Sequence, residues 1–378
     1  MSETSFYQRE IGPGRVSPAG REAPGGEGAI APPGVAPGPL VDIVETEVDL
    51  YYRIAVEMYR AVAENNRADK NTVFIVPVGP TFQYRRFVYL CRELPIDLSR
   101  LHLFFMDEYI APGSDPASAP GDAGSPTAGV GASAASTAAP ALIPIDSPLS
   151  FRGFVVRELV EPLLAVDEEL AAALSSDAAG SPGDGPDVDY PDAAGRRLNF
   201  SPDRIYFPDP ADPEAYDRRL DELGGADVCF AGVGINGHLA FNEPPDGGRG
   251  WAGASGAAGA AGAADTGVTN PAAPESFFSL GTRIVDLTRE TITINSNTAL
   301  GGAWEQIPRQ AITVGMKQIL ASRSLRILLN RPWQRAVVRK LLYGPVTASF
   351  PASAAQEHPD ARVTMTADVA APPQFALR

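Results

Sequence analysis

An α/β fold, with a doubly wound, largely parallel sheet flanked by helices in Rossmann-like fashion, is predicted by two features of the chain. Runs of β-branched and aromatic residues alternate with segments of helical apolar spacing, and a glycine-rich turn directly follows one apolar run, as at the carboxyl end of a parallel strand. The first unit is a helix and then a strand. Val48, Tyr52, Ala55, Met58 and Val62 recur at helical spacing within residues 44–65, and residues 71–78 form a β-branched and aromatic run suited to a buried strand. Residues 81–93 are predicted helical, 101–106 a strand, 149–166 a helix, 204–207 a short strand and 213–223 a helix leading into a strand at Val228. The apolar run 291–294 follows, then a helix over 311–320, a strand over 325–329 and a helix over 333–343. No internal repeat interrupts this order.

Composition limits both the folded length and the partners. The chain has 378 residues with 37 Gly and 36 Pro, unevenly spread. Residues 11–40, 111–147, 170–196 and 245–275 are rich in Gly, Ala, Pro, Ser and Asp and lack either periodicity, so they read as a disordered leader and three surface insertions. The predicted organisation is a leader over 1–40, a single domain over 41–362 and a tail over 363–378. Net charge is −15, with 31 basic against 46 acidic residues and no basic run, which disfavours nucleic-acid binding. Cys91 and Cys229 lie in apolar runs, as reduced thiols do, and the polar first residues carry no secretory signal. With no segment of membrane-spanning length, the expectation is a cytoplasmic protein with no membrane partner.

Three stretches carry residue types that do chemistry. In the first, residues 232–244, Gly232, Gly234 and Gly237 spell G-x-G-x-x-G after an apolar run. A dinucleotide site needs a helix to open there, and Pro244 and Pro245 stop any long helix. The same stretch sets His238 five residues before Glu243, an acid/base pair if the carboxylate orients the imidazole, or a turn histidine and a turn carboxylate if it does not. Asn236 either orients that ring or takes a left-handed turn. In the second, Asp107 and Glu108 close a strand, one directed into the crevice and the other away; a half-buried carboxylate there can take a proton beside a carbonyl, whereas a solvated one is only a turn or cap. In the third, Gly79-Pro80-Thr81 joins a strand to a helix, where free amides and a hydroxyl can hold an anion, less the donor that Pro80 lacks. Arg335 opens a later helix and offers a cation or a solvated face. No nucleophile triad or metal-ligand cluster is evident.

Taken in order, Phe105-Met106-Asp107-Glu108-Tyr109, residues 232–244, Ser276 through Arg283, Ile307 through Gly315 and Glu357-His358-Pro359 resemble the glucosamine-6-phosphate deaminase/isomerase family, over about residues 44–359 without the insertions. The resemblance implies isomerisation and deamination of glucosamine 6-phosphate to fructose 6-phosphate and ammonia, in amino sugar catabolism. It implies that His238 opens the sugar ring, with Asn236 and Glu243 setting its charge and orientation, and that Asp107 moves the proton between C2 and C1. Gly79, Thr81 and Arg335 are expected to hold the phosphate. No cofactor and no metal is expected, the partner is a small-molecule sugar phosphate, and self-association into a homo-oligomer is left open.

Departures from the family pattern are Asn236 where many relatives have Asp, Pro80 and Phe82 in the phosphate loop, and Asn297 where a phosphate-binding Arg is expected. They predict a slower ring opening and weaker phosphate binding. Val285 stands where some allosteric relatives have a basic residue, so no allosteric activation is expected. The alternatives are a 6-phosphogluconolactonase-like hydrolase, or a sugar-phosphate sensor with lost or altered catalysis. The insertion at 245–275 falls where a mobile lid would sit.

Overall fold

A computed structural model describes residues 38–112, 139–177, 197–245 and 277–373. Ten strands appear among them: β1 (Leu40–Val44), β2 (Thr72–Val76), β3 (Leu101–Phe105), β4 (Asp107–Tyr109), β5 (Ile205–Tyr206), β6 (Val228–Gly232), β7 (Arg283–Asp286), β8 (Gln310–Thr313), β9 (Ser324–Leu329) and β10 (Ala361–Thr366). Seven form a sheet in the order β1-β10-β9-β6-β2-β3-β5, and every neighbouring pair is parallel. From β2 the chain steps outward to β3 and β5, then returns on the other side of β2 as β6. The order therefore reverses between β2 and β6, the place where open α/β sheets form a crevice at their carboxyl ends.

Side-chain alternation divides the core in two. Phe74, Val76, Phe105 and Phe230 face Leu50, Ile54 and Met58 of the helix Glu47–Arg67, Phe87 and Leu90 of the helix Gln83–Glu93, and Leu163 of the helix Glu161–Asp177. Their strand neighbours Val73, Ile75, Phe104, Cys229 and Ala231 face the other way, onto Tyr216 and Leu220 of the helix Pro213–Glu222 and Val337, Val338 and Leu341 of the helix Arg335–Tyr343. A strand buried on both faces reads as continuous apolar sequence, which is why Val73 to Val76 and Leu101 to Phe105 are almost uninterrupted. The doubly wound, helix-flanked parallel sheet is thus the architecture of this chain.

A second, antiparallel sheet, β4-β8-β7, is stitched to the first at one residue. Met106 donates its N–H to Val76 O at 3.1 Å and accepts from Val314 N at 2.7 Å, and the residue after it, Asp107, begins β4. The chain thereby leaves the large sheet where the crevice opens.

Several boundaries differ from the sequence reading. Residues 311–320 split into β8 and the short helix Met316–Leu320, because β-branched Ile312 and Thr313 pair with β4 and β7 before Gly315 begins the helix. The run 291–294 lies within the helix Arg289–Ala299, begun by Thr288, whose side chain accepts from Thr291 N. The limit set at 362 falls inside β10, whose Val363 and Met365 are buried, and the chain turns from there into the helix Ala367–Ala370 with buried Val369. Leu40 already belongs to the edge strand β1. Of the insertions, residues 113–138, 178–196 and 246–276 lie outside the described residues, as do 1–37 and 374–378; the lid expectation falls there too. Their flanks are ordinary structure: Leu142 bridges Ile110, Ile143 is buried, and the helix continues to Asp177. Among the described residues no helix is long and apolar enough to cross a membrane.

Candidate active site

The carboxyl ends of β2, β3, β6 and β9 open onto one cavity of about 400 Å³. Gly79, Pro80 and Thr81 line it from β2, Asp107 from β3, Gly234 and His238 from β6, and Asn330, Arg331 and Gln334 from β9. The helix Arg289–Ala299 closes another side with Ile294, Asn295 and Thr298. Tyr109, Phe151, Phe154 and Phe241 form an aromatic wall.

The glycines after β6 make room for a side chain of the protein itself. A Cβ at Gly234 would overlap the imidazole of His238, and Gly237 has φ +88° with the Phe350 ring packed against its open face. No helix opens in residues 233–245, so the G-x-G-x-x-G spacing serves a tight turn that folds His238 back over Gly234. Gly234 N–H donates to His238 O at 3.0 Å and fixes that turn.

His238 is 8% exposed and sits in a network whose polarity can be derived. The Glu243 carboxylate only accepts, so the atom 2.6 Å from its Oε2 is the Asn236 amide nitrogen, and the Asn236 oxygen faces His238 Nδ1 at 2.8 Å. Nδ1 therefore carries a proton, and exchange of protons with a ligand is left to Nε2. Glu243 Oε2 itself lies 3.5 Å from Nδ1, and Thr291 Oγ1 lies 3.3 Å from it. Thr288 donates to Glu243 through its N–H and its hydroxyl, both at 3.2 Å. Burial works against the Glu243 charge, but His238 and the hydrogen bonds from His238, Thr291 and Asn236 outweigh it and hold the carboxyl down at about 2.

Asp107 and Glu108 have opposite surroundings one residue apart. Strand alternation sends Glu108 away from the cavity, where it is 0% exposed and accepts from Ser150 Oγ at 2.9 Å and from the N–H groups of Tyr109, Phe151 and Arg152 at 2.9, 3.1 and 2.9 Å. It anchors the start of the helix Phe151–Val155. Asp107 lines the cavity, and burial, with the Glu108 charge second, pushes its carboxyl up to about 8. The sequence expectation of one carboxylate in and one out agrees with this arrangement.

Six of the seven singled-out residues come together at the cavity: Gly79, Thr81, Asp107 and His238 line it, and Asn236 touches His238. Glu243 joins through Asn236. Arg335 does not line the cavity; its guanidinium is held by the carboxylate and the carbonyl of Asp368, the latter at 2.8 Å. Asn297 is likewise not among the lining residues, although its neighbours Asn295 and Thr298 are. Arg283 lies behind the site, donating to Asn242 Oδ1 at 2.8 Å, and burial pulls its guanidinium down to about 10. Sequence reasoning missed Thr288, Thr291 and Arg331. Thr288 could have been found as a helix cap, since Thr followed by a run of helix-compatible residues is an N-terminal signal. Among the described residues no group of three His, Cys, Asp or Glu side chains is placed to hold a metal ion.

No family model matches the chain. It is similar to the glucosamine-6-phosphate deaminase of Lachnoclostridium phytofermentans, 30% identical over 174 residues that cover 44% of this chain and 60% of that protein. To the glucosamine-6-phosphate deaminase of Hahella chejuensis it is 32% identical over 178 residues, 46% of this chain and 56% of the relative. The chain thus spans less than two thirds of these curated relatives. Among solved structures it resembles a monomeric glucosamine-6-phosphate deaminase, with a TM-score of 0.56 and 20% identity over 88% of this chain and 98% of that one, a likeness of fold.

Proposed function

We propose, from the premise that this chain is a sequence relative of the glucosamine-6-phosphate deaminase/isomerase family, that its cavity converts an aldose amino sugar phosphate to a ketose phosphate with release of ammonia. The observation that carries the reading is that one cavity is lined by an imidazole oriented through its Nδ1 and a carboxylate raised to about 8, contributed by different strands. Two successive proton transfers need two such groups.

The geometry supports the following sequence of steps. With Nδ1–H committed to Asn236, Nε2 of His238 accepts the proton of the anomeric hydroxyl and returns it to the ring oxygen, breaking the C1–O5 bond and giving the open aldehyde. Glu243, ionised, faces the imidazolium formed in passing and lowers its energy. Asp107 in its ionised form takes the C2 proton while the C2 ammonium gives one of its protons to O1, so that the C1 carbonyl becomes an enol, and Asp107 then gives its proton to C1. The amine at C2 becomes an iminium, and water adds to it and displaces ammonia to leave the C2 ketone. Gly79 and Thr81 are assigned to the phosphate end.

Incubation of the purified protein with glucosamine 6-phosphate, with ammonia and fructose 6-phosphate measured together, tests this reading. The expected result is one ammonia per ketose phosphate. Hydrolysis of 6-phosphogluconolactone without either product, or binding without turnover, overturns it in favour of a lactonase or a sensor.

A further inference from the structure

Arg331 is the one Lys or Arg side chain among the described residues that line the cavity. It stands four residues before Arg335, whose guanidinium is taken by Asp368. Its backbone is held in place: the N–H groups of Asn330 and Arg331 donate to Gln334 Oε1 at 3.0 and 2.8 Å, and Gln334 Nε2 donates to Val233 O at 2.8 Å. The turn after β9 is thereby tied to the turn that carries His238. The guanidinium is not saturated. Its side chain is 47% exposed, and its carboxylate partner, Glu47, stands at 3.7 Å while accepting from Tyr51 at 2.9 Å. Asn330 in turn donates to Tyr51 at 2.9 Å, and the Tyr51 ring lies 5.5 Å from the ring of Phe82, the residue after Thr81, so the acid and the arginine share one frame with the Gly79–Thr81 turn.

We propose that Arg331, with the Gly79–Thr81 turn, binds the anionic end of the substrate, and that Arg335 is a structural residue that fastens its helix to Asp368. The ligand class is a sugar monophosphate, whose oxygens match the planar donor fork of arginine. A single cation beside a proline-interrupted turn gives a site that is strongly dependent on that cation and on ionic strength. The assignment rests on the function proposed above for the identity of the sugar, and its binding test does not.

Arg331→Gln, Arg331→Lys and Arg335→Gln are compared with the intact chain. In turnover of glucosamine 6-phosphate, Arg331→Gln is expected to raise KM by about 10- to 100-fold with kcat within about threefold, and Arg331→Lys to fall between. In calorimetry, glucosamine 6-phosphate is expected to bind the intact chain, and Arg331→Gln to weaken it by the same factor, while affinity for unphosphorylated glucosamine stays the same. If the intact chain binds the phosphate but does not turn it over, the deaminase reading fails and the calorimetry still decides on Arg331. An unchanged KM or Kd in folded Arg331→Gln, a loss carried by Arg335→Gln instead, or no binding of glucosamine 6-phosphate, 6-phosphogluconate or inorganic phosphate by the intact chain overturns the proposal. Should Arg331→Gln not fold, Arg331→Lys with the affinity of wild-type level at every salt concentration does so as well.

Discussion

The two sides of the cavity treat a carboxylate in opposite ways. Around Glu243 the protein supplies an amide, two hydroxyls, a backbone N–H and an imidazole, and the carboxyl is held at about 2 although it is 8% exposed. Around Asp107, equally buried, aromatic and aliphatic walls and the charge of Glu108 push the carboxyl to about 8. Burial is the same; donors decide. The charged side holds an imidazole in one orientation, and the dry side keeps a base whose proton is easily exchanged near neutral pH.

The largest break in this contrast is Asp107→Asn. Turnover of glucosamine 6-phosphate is expected to fall by about 10²–10⁴-fold with sugar phosphate binding retained. Because the folded carboxyl titrates at about 8 and an unfolded one near the ordinary value of 3.8, Asp107 favours the folded state fully only below that ordinary value, and its contribution is lost as pH rises toward about 8. The Asn variant should therefore gain stability over the parent as pH rises between those limits, on the order of 5 kcal/mol at pH 8 from about 1.4 kcal/mol per pH unit, measured by chemical unfolding at pH 4 and pH 8. A destabilised variant at pH 8 would contradict the raised carboxyl.

A sharper and smaller effect is the pH profile. If Asp107 must be ionised, kcat/KM should rise through a limb near pH 8, while the Glu243 carboxyl, lowered to about 2, contributes no limb in the working range. A limb near pH 4 would place the base elsewhere.

The smallest effect is expected from Asn236→Asp. An amide at this position donates to Glu243 at 2.6 Å while accepting from His238, and a carboxylate cannot do the first without a shared proton. The sequence comparison alone favours a faster ring opening with Asp; the geometry reverses that expectation to about a 3- to 10-fold loss in kcat at pH 7, with the roughly 1 kcal/mol that a lost hydrogen bond represents. A gain in kcat would mean that the charge outweighs the bridge.

Much of this was legible in the sequence, and the gaps have physical causes. Continuous apolar strands such as Val73 to Val76, and the glycine turn that holds His238, announce themselves locally, because burial on two faces and a crowded backbone each restrict residue type. The short strands β4 and β7 do not, since three or four residues in an antiparallel pair acquire their identity from β8 and not from their own pattern. The roles of Thr288 and Thr291 depend on contacts across about fifty positions. The two arginines differ most. Arg335 occupies the position the family pattern points to, but its direction is set by Asp368, 33 residues away, which no local spacing reveals.

One threonine has a wider consequence for the length of the chain. Thr313 pairs with Asp107 in the β4–β8 register and accepts from Phe241 N at 2.9 Å, while Val314 O accepts from Asn242 at 2.8 Å. The base and the histidine turn are thus clamped to the same two residues. The stems of the first insertion are joined independently by Ala111 N–H donating to Ala141 O at 2.8 Å and Ile143 N–H to Tyr109 O at 3.0 Å. Closing a longer loop costs only about 0.6 kcal/mol for each doubling of its length. Between residues 112 and 139, therefore, a lengthened chain is expected to leave the reacting groups where they are: the site is held by contacts on the near side of that junction, and keeps its dimensions.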